Sequence, residues 1–230
     1  MKRSLIILMM SFIMIPSFSQ VQTVFKGGLA LLAFFGEEGH NAAPEGSTSQ
    51  PSLLLSFGVR SRNPSLFNFG GELEYLHRTY HIDAENGGVS GYTRYDLNVV
   101  ENQLRINILP QFTFGKKVRF SIYPGLYLAC NIASKITGTG EYNGSGGHHE
   151  YKYDYSFEEA DTPILEYGVL VGFGAELPLG KGYSFVLDYM QSLNIPEKEI
   201  MNVAYFYMLD FRFCAGISYT IGYTPKEEGH

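Results

Sequence analysis

Few residues in this chain have the types and spacing that chemistry requires. His148, His149 and Glu150 could ligate a metal, because imidazole and carboxylate groups are common metal ligands. Adjacent histidines in a polar, glycine-rich segment are more typical of a solvated loop, so we predict no metal site. We likewise predict no cofactor.

A second stretch, GFGAELPLGKGYS, contains a Gly-Lys pair and invites comparison with a phosphate-binding loop. Such a loop requires a glycine five residues before the pair and a serine or threonine directly after it. Ala175 and Gly182 stand at those two positions. The motif therefore fails twice, and the segment instead predicts a hairpin turn at residues 179–182.

Hydrolytic catalysis would need a serine, a base and an orienting group close together. The sequence has no G-x-S-x-G motif, and no such set can be chosen from it. Cys130 and Cys214 are far apart and have no metal-ligand spacing. We therefore predict that the protein is not an enzyme.

The charged residues follow a different pattern, in which they alternate with apolar ones. Residues 205–223 read YFYMLDFRFCAGISYTIGY, where Asp210 and Arg212 share one set of alternate positions with small and polar residues. The other set is almost wholly apolar and aromatic. A period of two predicts a β-strand, whose successive side chains point to opposite faces. Seven earlier segments show this alternation, at residues 25–35, 53–61, 67–81, 99–114, 118–132, 165–179 and 183–195. The alternation is less regular in the first three, and residues 25–35 are apolar nearly throughout, so Lys26 and Gly28 mark their polar face.

The connections between these eight strands alternate in length. The predicted long loops are residues 36–51, 84–98 and 134–164, and the predicted short turns are residues 62–66, 115–117 and 180–182, with residues 196–204 intermediate. Up-and-down barrels in outer membranes have this arrangement, with short periplasmic turns and long outer loops. We predict an all-β fold, an eight-stranded antiparallel up-and-down transmembrane β-barrel.

The polar face of each strand is predicted to line the inside of the barrel. It is too poor in charge for a solvated surface, whereas the apolar face is continuous and rich in Tyr and Phe, as a lipid-facing band must be. Charges of both signs inside can pair and fill a narrow lumen, and a gate or ion path is the alternative interpretation. The predicted interior network is Lys26, Arg60, Glu72, Glu74, Arg105, Arg119, Glu166, Glu176, Asp188, Asp210 and Arg212.

The two cysteines are predicted to remain unpaired. By the same alternation Cys130 faces lipid and Cys214 faces the interior, on strands that are not neighbours. A disulfide requires the two Cβ atoms to face each other at short range. The predicted faces exclude that geometry.

The two ends of the chain predict a secretory signal peptide and a periplasmic tail. Residues 1–19 have a basic start, an apolar run and small residues before Gln20, as in a secretory signal peptide. Residues 20–223 form the predicted barrel, and residues 224–230 a short periplasmic tail.

The net charge of −6 and the lack of a basic patch argue against nucleic-acid binding.

Two stretches resemble the PorT-like, OmpA/OmpX-type outer-membrane β-barrel proteins. They are VVENQLRINILPQFTFGKKVRFSIYPGLYLACNIASK and EYGVLVGFGAELPLGKGYSFVLDYMQSLNI. The resemblance implies a location in the outer membrane of a Gram-negative bacterium and insertion by the barrel assembly machinery. It implies that Gly216, Tyr219 and Ile221 belong to the insertion signal, and it implies no peptidoglycan-binding domain.

The predicted role is structural or binding, through the extracellular loops of a monomeric barrel. Candidate partners are an extracellular protein, a host surface and the lipopolysaccharide of the surrounding membrane. The candidate contact residues are Tyr142, Tyr151, Tyr153 and Tyr155, because tyrosine is favoured at interfaces. The alternatives are a small channel or transporter, an outer-membrane lipid-modifying enzyme and a soluble, lipocalin-like periplasmic binder.

Overall fold

A computed structural model describes seven parts of the chain: residues 20–35, 47–62, 66–88, 91–156, 165–195, 198–200 and 204–222. The predicted signal peptide (residues 1–19) and periplasmic tail (residues 224–230) lie outside the described residues. The strands are β1 (Gln20–Phe35), β2 (Thr48–Ser49), β3 (Ser52–Arg62), β4 (Phe67–Gly88), β5 (Gly91–Phe114), β6 (Arg119–Gly144), β7 (Gly147–Ser156), β8 (Leu165–Gly180), β9 (Tyr183–Asn194), β10 (Lys198–Ile200) and β11 (Ala204–Ile221).

Eight of these strands close into an antiparallel barrel. The hydrogen-bonded order is β1-β3-β4-β5-β6-β8-β9-β11, and β11 pairs back onto β1 from Val21↔Ile221 to Phe35↔Tyr207. The three remaining strands are accessory, since β2 pairs with β4, β7 with β6 and β10 with β11. Among the residues that the structure describes, none forms a helix with the length and hydrophobicity of a membrane span. The predicted eight-stranded up-and-down barrel is confirmed.

The turn between β8 and β9 has the backbone geometry that its glycines permit. Gly180 and Gly182 have φ angles of 95° and 83°, and Lys181 between them has φ 51°. Glycine adopts positive φ at little cost because it lacks a Cβ atom. The Gly-Lys pair therefore forms part of a hairpin turn, as predicted from the sequence, and not part of a phosphate-binding loop.

Two hairpins extend far beyond the rest of the barrel on the side of the long connections. β4 and β5 pair as far as Gly88↔Gly91, and β6 and β7 pair as far as Gly144↔Gly147. The prediction of a loop at residues 84–98 is therefore wrong over most of those residues. Within residues 134–164 paired strands continue as far as Ser156, as the alternation of Tyr151, Tyr153 and Tyr155 in the sequence indicates. The outward apolar residues end where a strand leaves the lipid, but the backbone hydrogen bonds between strands continue into water. The end of the apolar pattern in the sequence is therefore not the end of the strand.

The ends of β4, β5, β6 and β7 form a four-stranded extension, which we call the protruding sheet (residues 82–88, 91–97, 136–144 and 147–156). It stands on the rim with the long loops, which is the extracellular rim of such barrels.

Alternation along each strand separates an apolar exterior from the interior. In β3 the side chains of Leu53, Leu55, Phe57 and Val59 expose between 45% and 63% of their surface. Their neighbours Ser52, Leu54, Ser56 and Arg60 are buried inside. This is the reverse of a water-soluble barrel, so the lipocalin-like alternative is wrong.

Inward-facing glycines make room for large interior side chains. A Cβ atom added at Gly172 on β8 would overlap the ring of Tyr123, which is buried in the lumen from β6. Overpacking of a filled interior forces side chains out of their preferred rotamers and typically costs about 1–3 kcal/mol.

We therefore expect Gly172→Ala to destabilise the barrel by about 1–3 kcal/mol in urea unfolding from lipid vesicles. In a protein that already carries Tyr123→Leu, the same Gly172→Ala substitution should cost much less, because the overlapping ring is gone. Gly146→Ala is the control, since a Cβ there meets no atom within 4 Å. Equal stability of Gly172→Ala and Gly146→Ala would contradict this packing.

Candidate functional site

The interior charges come together in ion-paired clusters. In the first, Lys26 Nζ lies 2.8 Å from Glu72 Oε2 and 2.7 Å from Asp188 Oδ2. Arg60 Nη2 lies 2.6 Å from Glu72 Oε1 and 3.0 Å from the same Asp188 oxygen. Two cations and two carboxylates thus alternate in a ring contributed by β1, β3, β4 and β9, and none of the four side chains exposes more than 6%.

Each of these four charges lies opposite a small residue on at least one neighbouring strand, which is why the ring fits within the lumen. Lys26 pairs with Ser56 on one neighbouring strand and with Gly216 on the other. Glu72 lies opposite Gly58, and Asp188 opposite Gly174. Glycine and serine leave space for a long side chain to cross an eight-stranded barrel.

A second cluster joins residues of β4, β5, β8 and β11. Arg78 lies 3.1 Å from Glu166 and 3.4 Å from Glu101, and Arg105 lies 2.6 Å from Asp210. In the sequence Arg78 shares the alternate positions of Glu72 and Glu74, and Glu101 shares those of Arg105, but neither belongs to the predicted network. The alternation itself was the signal that could have added them.

The remaining charges of the predicted network form two separate pairs. Arg212 Nη1 lies 2.6 Å from Glu74 Oε1, and both side chains are fully buried. Arg119 pairs with Glu176 nearer the short turns, where both are partly exposed. The structure thus places every charge of the predicted network on the inside of the barrel, in two clusters and two pairs.

The interior changes character toward the extracellular rim. There the inward side chains form an apolar cluster of Leu32, Tyr80, Ile82, Leu97, Val99, Ile136 and Met208. The expectation of a polar face along the whole lumen is wrong at this level. Above the bilayer the barrel wall meets water, so burying apolar side chains inside is favourable, as in a soluble protein. Side chains therefore fill the lumen at two levels.

Both cysteines are free. Cys214 is buried within the lumen and Cys130 is half-buried on β6. His148 Nε2 and Glu150 Oε1 lie 3.5 Å apart on exposed side chains of β7. Among the described residues, no group of three or more histidine, cysteine or carboxylate side chains could hold a metal.

The four predicted contact tyrosines lie on one face of the protruding sheet. Tyr151 pairs with Gly140, Tyr153 with Gly138 and Tyr155 with Ile136, while Tyr142 pairs with His149. Directly opposite residues share a face, and Ile136 faces the lumen, so this face continues the inner wall of the barrel. We call it the tyrosine face: Tyr95, Tyr142, His149, Tyr151, Tyr153 and Tyr155.

The rings of this face contact one another along and across the strands. Ring centroids are 6.3 Å apart for Tyr95 and Tyr153, and 5.8 Å apart for Tyr153 and Tyr155. The rings of Tyr142 and His149 are stacked at 6.4 Å. Sequence reasoning missed Tyr95 and His149, which join the face only through strand pairing.

Glycine on β6 allows the tyrosine rings to lie across the sheet. A Cβ atom added at Gly140 would lie 2.8 Å from a ring carbon of Tyr153. Burial, with smaller contributions from the neighbouring tyrosines, raises the pKa of Tyr153. Its hydroxyl group is therefore protonated and uncharged at neutral pH.

Charged groups occupy the opposite face of the same sheet. Arg94 donates hydrogen bonds of 3.1 Å and 2.8 Å to the two oxygens of Asp83. Lys135 and Asp154 lie 3.2 Å apart. The protruding sheet is therefore two-sided, with aromatic groups toward the barrel axis and charges outward.

The distribution of side chains defines the environment of the barrel. An apolar exterior around a polar, ion-paired interior suits a closed sheet that spans lipid, where every backbone group must be hydrogen-bonded within the protein. The protein is an integral outer-membrane β-barrel.

Comparisons with known proteins return barrels of the same kind. No family model matches the chain, and no curated protein matches it. A major outer membrane protein from Thermus thermophilus is 12% identical with a TM-score of 0.46, covering 88% of this chain and 100% of that chain. OprG from Pseudomonas aeruginosa is 11% identical with a TM-score of 0.43, covering 88% and 97%.

Ail, the attachment invasion locus protein of Yersinia pestis, is 11% identical with a TM-score of 0.41, covering 86% of this chain and 98% of that chain. At such identities these similarities concern the fold, which the strand pairing above establishes independently.

The buried Arg212–Glu74 pair predicts a large effect of removing one partner. Arg212→Leu leaves the Glu74 carboxylate buried without its cation, so we expect a loss of roughly 3–5 kcal/mol in urea unfolding. The matched control is the double variant Arg212→Leu/Glu74→Leu, which should recover most of that loss because no charge remains unpaired. Unchanged unfolding of the single variant would contradict the pairing.

The exposed Asp83–Arg94 pair predicts that the stability of the β4–β5 hairpin tip decreases in acid. Hydrogen bonds from Arg94 lower the pKa of Asp83, so the ionised carboxylate favours the folded tip. That stabilisation is present above the ordinary carboxyl pKa of about 4 and is lost as pH falls through the lowered pKa. We expect amide protection factors at the β4–β5 tip to fall over that range.

The control for this experiment is Asp83→Asn, in which protection at the tip should be lower near neutral pH and should change less between neutral pH and acid. The expected difference is small, because exposed ion pairs contribute little. An identical pH dependence in both proteins would contradict the assignment to Asp83.

Proposed function

We propose that this outer-membrane barrel binds a partner outside the cell through the tyrosine face of its protruding sheet. The observation that carries the proposal is the convergence of Tyr142, Tyr151, Tyr153 and Tyr155 on one face beside the mouth of the barrel. Tyrosine offers a rigid, amphipathic contact surface at low conformational cost. The paired strands hold these rings in fixed positions before a partner arrives.

The proposal treats the barrel itself as the scaffold. Ion-paired and apolar side chains fill its lumen at two levels, which favours a binding role over conduction. We further propose a PorT-like, OmpA/OmpX-type protein without catalytic activity, inserted as a monomer by the barrel assembly machinery and surrounded by lipopolysaccharide in its outer leaflet.

The test shortens the protruding sheet while keeping the barrel. Residues 137–154 are replaced by Asn-Gly, because Ile136 and Tyr155 pair directly and a two-residue Asn-Gly turn can join paired strands. The replacement removes Tyr142, His149, Tyr151 and Tyr153 from the tyrosine face. The purified barrel in nanodiscs is tested on arrays of immobilised extracellular matrix proteins, glycans and lipopolysaccharide. We expect at least one binding signal, reduced at least tenfold in the shortened protein.

The matched control changes the charged face of the same strand. Lys152→Ser/Asp154→Ser alters exposed side chains on the side away from the tyrosines and should leave binding unchanged. A shift between boiled and unboiled samples on a denaturing gel verifies that each variant is a folded barrel. Absence of any signal, or an equal signal from the shortened protein, would overturn the proposal.

A further inference from the structure

The chemistry of the tyrosine face indicates the class of partner. We infer that it binds a neutral, hydroxyl-rich chain, an extended oligosaccharide whose sugar rings stack on the tyrosine rings. This inference rests on the proposed function, because it names the partner of the same surface.

The first argument is the lack of charge on this face. Its cross-strand neighbours within the described residues are Ala84, Thr93, Leu97, Ile136, Gly138 and Gly140, and the only ionisable groups among the described side chains there are the tyrosines and His149. A polyanion would require arginine or lysine to neutralise its phosphate or sulfate groups. The charged side chains of this sheet lie on its other face, so the tyrosine face matches an uncharged ligand.

The second argument is the hydrogen-bonding capacity of the face. No hydroxyl group of Tyr95, Tyr142, Tyr151, Tyr153 or Tyr155 has a hydrogen-bond partner within the described part of the chain. A phenol both donates and accepts, and so does the hydroxyl group of a sugar. The face therefore offers hydrogen bonds of both directions to a hydroxyl-rich ligand.

The third argument is the shape of the face. Tyr151, Tyr153 and Tyr155 follow one strand at alternate positions, so they span about 13 Å, a row longer than one sugar ring. Gly140 on β6 lies beneath the Tyr153 ring, whose centroid is 6.3 Å from that of Tyr95, so the aromatic surface extends across the sheet from β7 to β5. An aromatic ring has a negative face that attracts the C–H groups of a flat sugar ring.

A partner that pairs with the edge of the sheet, and not with the tyrosine rings, would respond differently to substitution. An extended peptide would add to the edge of β7 through backbone hydrogen bonds, which do not depend on which side chain occupies Tyr151. Stacked sugars do depend on that ring. Substitution of the ring therefore separates the two kinds of partner.

The experiment measures binding of three neutral probes, cellohexaose, laminarihexaose and chitohexaose, to the barrel in nanodiscs by saturation-transfer NMR and thermophoresis. Heparin hexasaccharide is the anionic comparison. We expect saturable binding of at least one neutral probe and weaker or no binding of heparin. Tyr151→Ala/Tyr153→Ala should weaken binding at least tenfold, whereas Tyr151→Phe, which keeps the ring, should weaken it less than fivefold.

The matched control is Tyr92→Ala. Tyr92 is an exposed tyrosine of β5 on the opposite face of the protruding sheet, so its removal should leave binding unchanged. Tyr151 exposes 49% of its surface, so its substitution alone should leave the barrel folded, which the heat-dependent gel shift verifies.

The outcomes separate this inference from the proposed function. If no neutral probe binds but a protein on the array binds and requires residues 137–154, the oligosaccharide inference is overturned and the binding function stands. Neutral-probe binding that Tyr151→Ala/Tyr153→Ala does not change overturns the assignment to the tyrosine face. If nothing binds to the intact protein in either experiment, both proposals fail.

Discussion

The closure of β1 onto β11 is the constraint on which the rest of the structure depends. A strand in lipid has no water to satisfy its backbone, so the sheet can span the membrane only as a closed ring. Closure with eight strands leaves a narrow lumen, and period-two alternation directs half of all side chains into it. Long charged residues there are tolerated because small residues lie opposite them and because opposite charges meet at hydrogen-bonding distance.

The barrel extends from lipid into water, and the side chains that fill its interior differ between the two levels. Within the membrane the exterior is apolar, and the interior combines ion pairs with a buried apolar cluster that includes Leu54, Tyr123 and Met190. The charges that would be costly in lipid are paired with one another. Beyond the membrane the apolar cluster that includes Tyr80 and Val99 fills the interior. The same strands pass through both levels without interruption, so one backbone architecture supports a layer of ion pairs and apolar side chains below and a hydrophobic layer above.

The protruding sheet extends this architecture into a surface for recognition. Its inner face is continuous with the apolar cluster, because Tyr153 and Tyr155 pack against that cluster at their base. Rings farther along the hairpin are held by the same ladder of backbone hydrogen bonds. A contact surface built on paired strands of a closed barrel loses little conformational freedom on binding, which favours affinity for a partner that offers no charge.

The sequence by itself determined the strands, their phase and the inside of the barrel, because side-chain alternation is a local property that Asp210 and Arg212 already display. It also singled out four of the six residues of the tyrosine face. Only the tertiary structure decided which charges meet: Arg212 pairs with Glu74, 138 residues away, through a register that no local pattern encodes. Pairing between strands likewise decides how far the hairpins extend and places Tyr95 and His149 on the shared face. A period of two within one strand does not show where the neighbouring strand ends.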